Sequence, residues 1–291
     1  MTQRLSAQPF AKEITARATE IASRAIADAG GTPPEIAVVI ATDEPDSLLY
    51  VDRLLKQVGA TGLAGRRVEL GATATESEIF AALTALSADQ NVAGMILQSP
   101  LPSGVSREIV AAAIAPENDI DGITSVNADR LADGTHDESL LPATAAAVME
   151  LLRAYEIPLQ GRPAVVVGRS AIVGRPVAQL LEASGAHVEV AHSKTPDLGA
   201  VTRTAAVLVV AAGVRGLVRG EHVSPGTIVI DVGIHPSGET IVGDVDAPSV
   251  EARLGETGGL SPVPGGVGPM TSAILALHAA QAAERLVRRR T

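Results

Sequence analysis

Residues 164–176 read AVVVGRSAIVGRP. The β-branched run Val165, Val166 and Val167 ends in Gly168, and a helical pattern, VAQLLEASG, follows Gly174 and Pro176. Strand, glycine turn and helix in that order let backbone N–H groups and the first helical turn approach a pyrophosphate, which the helix dipole favours. Gly168, Arg169, Ser170 and Gly174 are therefore candidate dinucleotide ligands, although the turn lacks the three glycines of the usual fingerprint and an ordinary βα connection has the same outline. NAD-binding units carry an acidic residue near the end of the second strand, where it holds the ribose 2′-hydroxyl. This chain has His192-Ser193-Lys194 there, with Arg169 in the turn. These donors suit a 2′-phosphate, so NADP is the expected cofactor. Glu189, read as facing a neighbour inside the same strand, keeps NAD as the alternative.

Other chemistry-bearing residues sit in loops. Gln98 closes an apolar run before SPLPSG, Asp121 lies in NDIDGITSVN, and Pro264, Gly265, Gly266 and Gly268 lie in SPVPGGVGPMT. On its own Asp121 reads as a turn residue. It does not belong to a calcium loop, because the spaced oxygen ligands and the closing Glu are missing. With no cysteine in the chain, disulfides, thiolate metal sites and thiol nucleophiles are excluded, and no metal is expected.

The elements that must position these residues alternate along the chain. Helical patterns over 9–29, 46–61 and 76–88 interleave with strand patterns over 36–41, 67–70 and 92–98; Asn118–Asn127 reads as irregular. A helix over 144–156 leads to strands over 164–168, 187–191, 207–212 and 227–232, and the last helix spans about 270–289. This rhythm predicts right-handed βαβ units and parallel sheet, with ligands gathered beyond the carboxyl ends of the strands. At 291 residues the chain is long enough for two domains. Apolar residues make up 46%, so a large core is available, and with two Tyr, two Phe and no Trp that core is aliphatic. A net charge of −10 opposes a nucleic-acid or anionic-membrane role. Neither a spanning segment nor a signal-peptide pattern is present, and a cytoplasmic location is expected.

Several segments in combination resemble the bifunctional methylenetetrahydrofolate dehydrogenase and methenyltetrahydrofolate cyclohydrolase family. SLLYV, ILQSPLP, DIDGITSVN, LPAT, VVVGRSAIVGRP, HSKT, VIDVGI, GDVD and SPVPGGVGPMT follow its patterns in colinear order. The resemblance implies an α/β fold of two domains: an N-terminal substrate domain over 1–143, completed by a helix over 270–291, and a Rossmann NAD(P)-binding domain over 144–269. It also implies a cleft between them and a homodimer assembled through the nucleotide domain. The reaction implied is oxidation of 5,10-methylenetetrahydrofolate, with hydride passing to a nicotinamide. Tyr50 would lie beside the pterin, Gln98 would face the reacting carbon, and Asp121 would accept two hydrogen bonds from the pterin's amino and ring N–H edge. Pro264, Gly265 and Gly268 would pass close to substrate and nicotinamide. His192 and Ser193 would join the turn in holding the cofactor, and Ile234 would pack by the nicotinamide.

The chain departs from the family pattern at the position that serves hydrolysis. The cyclohydrolase lysine stands four residues after the tyrosine, as YVxxK, whereas this chain reads YVDRL and places Leu54 there. Positions i and i+4 share a helix face, so Leu54 would lie beside Tyr50 in the cleft. Lys56 falls on another face. Ser99, Ala143, Ala145 and ITSVN are further departures on the substrate side. The expectation is an NADP-dependent dehydrogenase with weak or absent cyclohydrolase activity. A fully bifunctional enzyme, a dehydrogenase of a modified folate and a non-catalytic NADP-binding homologue are the alternatives.

Overall fold

The computed structural model describes residues 2–137, 140–238 and 240–290. The chain forms two compact units: Lys12–Ala143 with the chain from Ser272 onward, and the residues up to Ala11 with Thr144–Thr271. The first eleven residues, expected in the N-terminal domain, thus cluster with the second unit. Their short strand β1 (Gln3–Arg4) pairs in parallel with residues 259–260, and helix α1 (Gln8–Asp28) follows.

The first unit is built on a three-stranded parallel sheet of β2 (Glu35–Ile40), β3 (Ala64–Glu69) and β4 (Val92–Leu97), in the order β3-β2-β4. β4, VAGMIL, is buried along its whole length, as is nearly all of β2, EIAVVI. Such unbroken apolar runs belong to a parallel sheet covered on both faces. Edge strand β3, AGRRVE, instead turns Arg66 and Arg67 outward. Helix α2 (Pro45–Ala60) buries Ser47, Val51, Leu54 and Val58, a stripe at helical spacing. Helix α3 (Glu76–Ala88) starts at a Thr75/Glu78 capping box and packs Ile79, Leu83 and Leu86 into a cluster with Val39, Met95 and Leu97.

Helix α4 (Arg107–Ala111) is capped by Ser106, whose side chain accepts from the Ile109 N–H. Part of the stretch read as irregular is helical: Thr124 caps α5 (Ser125–Ala132) by accepting from the Asn127 N–H, and residues 116–118 form a 3-10 turn. Short polar residues in a row obscured a cap followed by a single pair of turns.

Helix α6 (Ala143–Ala154) leads into a six-stranded sheet in which every pairing is parallel. Its members are β1, β5 (Pro163–Val167), β6 (His187–Ala191), β7 (Val207–Val210), β8 (Ile228–Asp231) and β11 (Gly259–Leu260), in the order β1-β11-β8-β7-β5-β6. Between them come α7 (Gly174–Ala183), α8 (Leu198–Thr202), the hairpin of β9 (His235–Ser237) and β10 (Thr240–Val242), and α9 (Ala247–Leu254). The chain leaves β5 toward β6 on one side and continues through β7 and β8 on the other. The carboxyl ends of β5 and β7 therefore form a topological switch point, where sheets of this kind bind ligands. Helix α10 (Val267–Arg290) closes the fold. No described helix is long and apolar enough to cross a membrane.

Candidate functional site

In the first unit a carboxylate site forms where β4 ends. Asn118 donates its amide to the carbonyls of Val92 and Ala93, both at 3.0 Å. Fully buried Asp119 accepts from the Ile123 and Thr124 N–H groups, the Thr124 hydroxyl and the Asn127 amide at 2.7–3.0 Å. These bonds consume the hydrogen-bonding capacity of Asp119 and fold the segment around Asp121. Gly122 has φ +67°, and a Cβ there would stand 2.3 Å from the Pro142 nitrogen, so only glycine fits. Asp119, Asn118 and Asn127 are supporting residues that the sequence reading missed. Their signal was the density of Asx and Thr residues between two apolar runs.

Asp121 itself is held without being used up. Its side chain is 25% exposed, and the nearest cation, the Arg107 guanidinium, lies 3.9 Å away. Burial pushes its carboxyl up to about 7; Arg107 pulls it back and the charge of Asp119 adds to the rise. Tyr50 is 38% exposed, surrounded on most sides yet open on one, and loss of hydration followed by the charge of Asp121 pushes its phenol up to about 12. Gln98 directly follows β4, is half-buried, and donates its amide to the Ser99 carbonyl at 2.7 Å. Leu54 is only 3% exposed, while Arg53 and Lys56 are exposed.

Behind this loop lies His278 of α10, 3% exposed, whose Nδ1 donates to the Ile120 carbonyl at 3.0 Å. Burial, aided by the Arg285 charge, pushes the imidazole down to about 4 from its ordinary 6.5; the bond to Ile120 and the charges of Asp119 and Asp137 oppose this. The unfolded chain therefore takes up the proton first. The stability contribution of the neutral ring is full above pH 6.5 and is lost as pH falls toward 4, by about 3 kcal/mol in all. In urea unfolding the gap between wild type and His278→Gln is expected to narrow as pH falls from 7 to 4.5. A gap that stays constant with pH would contradict the assignment.

The second unit brings the nucleotide candidates together. The Gly168 N–H donates to the Ala191 carbonyl at 2.8 Å, which joins the glycine turn to the start of His192-Ser193-Lys194. Gly168 has φ +125°, and a Cβ there would stand 2.1 Å from the Ala211 carbonyl oxygen just past β7. A Cβ on Gly174 would come within 2.3 Å of the Gly168 carbonyl oxygen. Both glycines thus permit the close strand–helix approach that a dinucleotide turn needs. The Ser170 hydroxyl accepts from the Val173 and Gly174 N–H groups at 3.3 and 3.2 Å, so it caps α7 from within the turn. Arg169, Ser170, Ser193 and Lys194 are exposed; His192 is half-buried and accepts from the Lys194 N–H at its Nδ1. Glu189, read as facing a neighbour, is exposed on edge strand β6. These residues fit the phosphates of a dinucleotide.

Ile234, 61% exposed, lines a small pocket with Gly233, Ile241 and the loop carrying Pro264, Gly265 and Gly268. Below it the carboxylates of Asp231 and Asp244 organise the strand ends. Asp231 accepts from the Gly233, Asp244 and Val245 N–H groups, and burial pushes it up to about 6 despite them. Asp244 accepts from the Ala212 and Gly213 N–H groups and meets His235 Nε2 at 2.7 Å. Among the described residues no cluster of His, Asp and Glu could hold a metal ion.

Comparison with known proteins matches both units. Residues 5–121 match the description "Tetrahydrofolate dehydrogenase/cyclohydrolase, catalytic domain" and residues 142–287 match "Tetrahydrofolate dehydrogenase/cyclohydrolase, NAD(P)-binding domain". The chain is 48% identical over 258 residues to the bifunctional protein FolD of Nocardia farcinica, covering 88% of this chain and 89% of that one. The FolD methylenetetrahydrofolate dehydrogenase/cyclohydrolase of Campylobacter jejuni superposes with a TM-score of 0.91 at 36% identity, covering 98% of this chain and 99% of that one. The Trypanosoma brucei enzyme, solved with NADP and an inhibitor, gives 0.91 at 33% identity, covering 99% of each chain. With its fold, its colinear motifs and both halves matched, the chain belongs to the tetrahydrofolate dehydrogenase/cyclohydrolase family.

Proposed function

We propose that the protein oxidises 5,10-methylenetetrahydrofolate to the methenyl form with NADP, and that it hydrolyses the methenyl product weakly or not at all. The observation that carries the second half is Leu54, buried on α2 four residues after Tyr50, where the family's hydrolytic lysine stands.

The two reactions make different demands. Loss of hydride is driven by the adjacent nitrogen lone pair, and the protein mainly has to orient the reacting carbon. Asp121 is assigned to the pterin's N–H edge, Tyr50 to the ring and Gln98 to the side of the reacting carbon. Hydrolysis of the methenyl cation needs an activated water and proton movement at nitrogen, where a tuned amine serves as acid and base. Leucine provides neither. Tyr50 cannot replace the amine as a base, because its phenol stays protonated across the physiological range.

Bound NADP would supply the hydride acceptor. We assign its pyrophosphate to Gly168, Arg169, Ser170 and Gly174, its 2′-phosphate to Arg169 and the His192-Ser193-Lys194 turn, and its nicotinamide to the pocket of Ile234 and the Pro264–Gly268 loop. His192, Ser193 and Lys194 just past the end of β6 support NADP, and exposed Glu189, two residues before that end, keeps NAD as the alternative. The reading includes a homodimer through the nucleotide-binding unit. Dehydrogenase assays with both cofactors test the assignment: kcat/KM with NADP should exceed that with NAD by about tenfold or more, consistent with charge-assisted bonds to a phosphate. Equal values would remove the 2′-phosphate from the account.

A further inference from the structure

We propose that Arg107 is a positioning residue for Asp121, tying it to the strand end that carries Gln98 and holding it as a carboxylate whose oxygens remain open to a ligand; the ligand's identity as folate rests on the reading above. Arg107 is the first residue of α4, so the Ser106 cap fixes where its side chain begins. Its guanidinium then reaches three points on two other segments. One nitrogen donates to the Ser99 hydroxyl, the other donates to the Leu97 carbonyl at 3.3 Å, and that same nitrogen stands 3.9 Å from the Asp121 carboxylate. Gln98 lies between the two anchor residues. Ser99, which departs from the family pattern, is what allows the first bond, since an apolar residue has no acceptor there.

The separation from Asp121 decides the function. At 3.9 Å the contact is charge attraction rather than a hydrogen bond, so the acceptor positions of the carboxylate are not consumed. A two-pronged arginine–carboxylate fork would have closed them. Both side chains are about three-quarters buried, 26% and 25% exposed, and there the attraction is screened less than at a surface. The other groups facing Asp121 do not favour its charge. Asp119 opposes it, and Tyr50 is a neutral phenol. His278, which binds the neighbouring Ile120 carbonyl, is neutral above about pH 4. Among the described residues Arg107 is the cation that opposes the rise of the Asp121 carboxyl.

The test follows the Asp121 carboxyl directly, by 13C-carboxyl NMR titration of the ligand-free protein, assigned with Asp121→Asn. KM for methylenetetrahydrofolate between pH 6 and 9, kcat, and NADP affinity are measured alongside. In Arg107→Gln the Asp121 midpoint should rise by about one pH unit. The ionised fraction at pH 7 then falls from about a half to about a tenth, so KM rises about fivefold there and recovers toward pH 9. kcat and NADP affinity should stay within about twofold. Arg107→Lys, which keeps the charge but lacks the fork, should restore part of the midpoint shift. An unmoved midpoint, or a KM increase equal at every pH and matched by lost NADP affinity, would overturn the proposal. A moved midpoint in a protein that turns over no folate would support the positioning role and overturn the folate reading instead.

Discussion

Leu54→Lys should raise hydrolysis of the methenyl compound above the buffer rate by about a hundredfold or more relative to the wild type, the scale of acid–base catalysis by one placed side chain. The helix supplies the placement, because Leu54 lies one turn from Tyr50. The burial supplies the chemistry. At 3% exposure an amine in this position loses much of its hydration, which lowers its pKa toward neutrality and lets it both take and give a proton. The same burial costs stability, since Val51 and Val58 flank the position on the apolar stripe of α2. A lower melting temperature is therefore expected alongside the gain. The measurement is the decay of methenyl absorbance with the buffer rate subtracted. A folded variant with no added hydrolysis would show that the loss does not reside in this side chain.

The second large effect is expected from Asp121→Asn, which should lower kcat/KM for methylenetetrahydrofolate by about a hundredfold or more while leaving NADP affinity unchanged. An amide offers one acceptor where the carboxylate offers two, and it turns an NH₂ toward the donors of the pterin edge. Hydrogen bonds to a charged group contribute about 1.5–3 kcal/mol each, so losing one outright, with the other weakened to a neutral bond and an NH₂ set against the pterin donors, corresponds to about a hundredfold. The loop should survive the change, because its hydrogen bonds converge on Asp119 and its turn depends on Gly122. Steady-state kinetics with each substrate varied, together with NADP titration, separates the two outcomes. A loss of NADP affinity equal to the loss of folate turnover would place Asp121 in the fold rather than at the ligand.

Much of this architecture is legible in the sequence, because parallel strands buried on both faces must be unbroken apolar runs. VAGMIL and AVVV announce themselves, and Gly168 and Gly174 punctuate the turn that follows β5. Helix α3 is equally plain, since its capping box and its apolar spacing agree. What stayed hidden depends on partners distant in sequence. β1 is two residues long and exists through its pairing with Gly259 and Leu260. Helix α5 hides in a polar run whose cap residue reads equally as a turn.

The site divides in the same way. Tyr50, Gln98 and Asp121 stood out through motifs, but Arg107 and His278 carry no local signal. Arg107 acts on a residue fourteen positions later, and His278 supports Ile120 from the far end of the chain. Leu54 was legible as a departure from a pattern, and only the fold adds that its place on α2 is buried.

The most direct test of the account mixes the wild-type protein with 5,10-methylenetetrahydrofolate and NADP and follows NADPH and the methenyl product separately at neutral pH. The account predicts that the two appear in nearly equal amounts and that the methenyl signal then decays at, or only slightly above, the buffer rate. NADPH formed with little methenyl product remaining would contradict it, because the protein would then hydrolyse its product without the lysine.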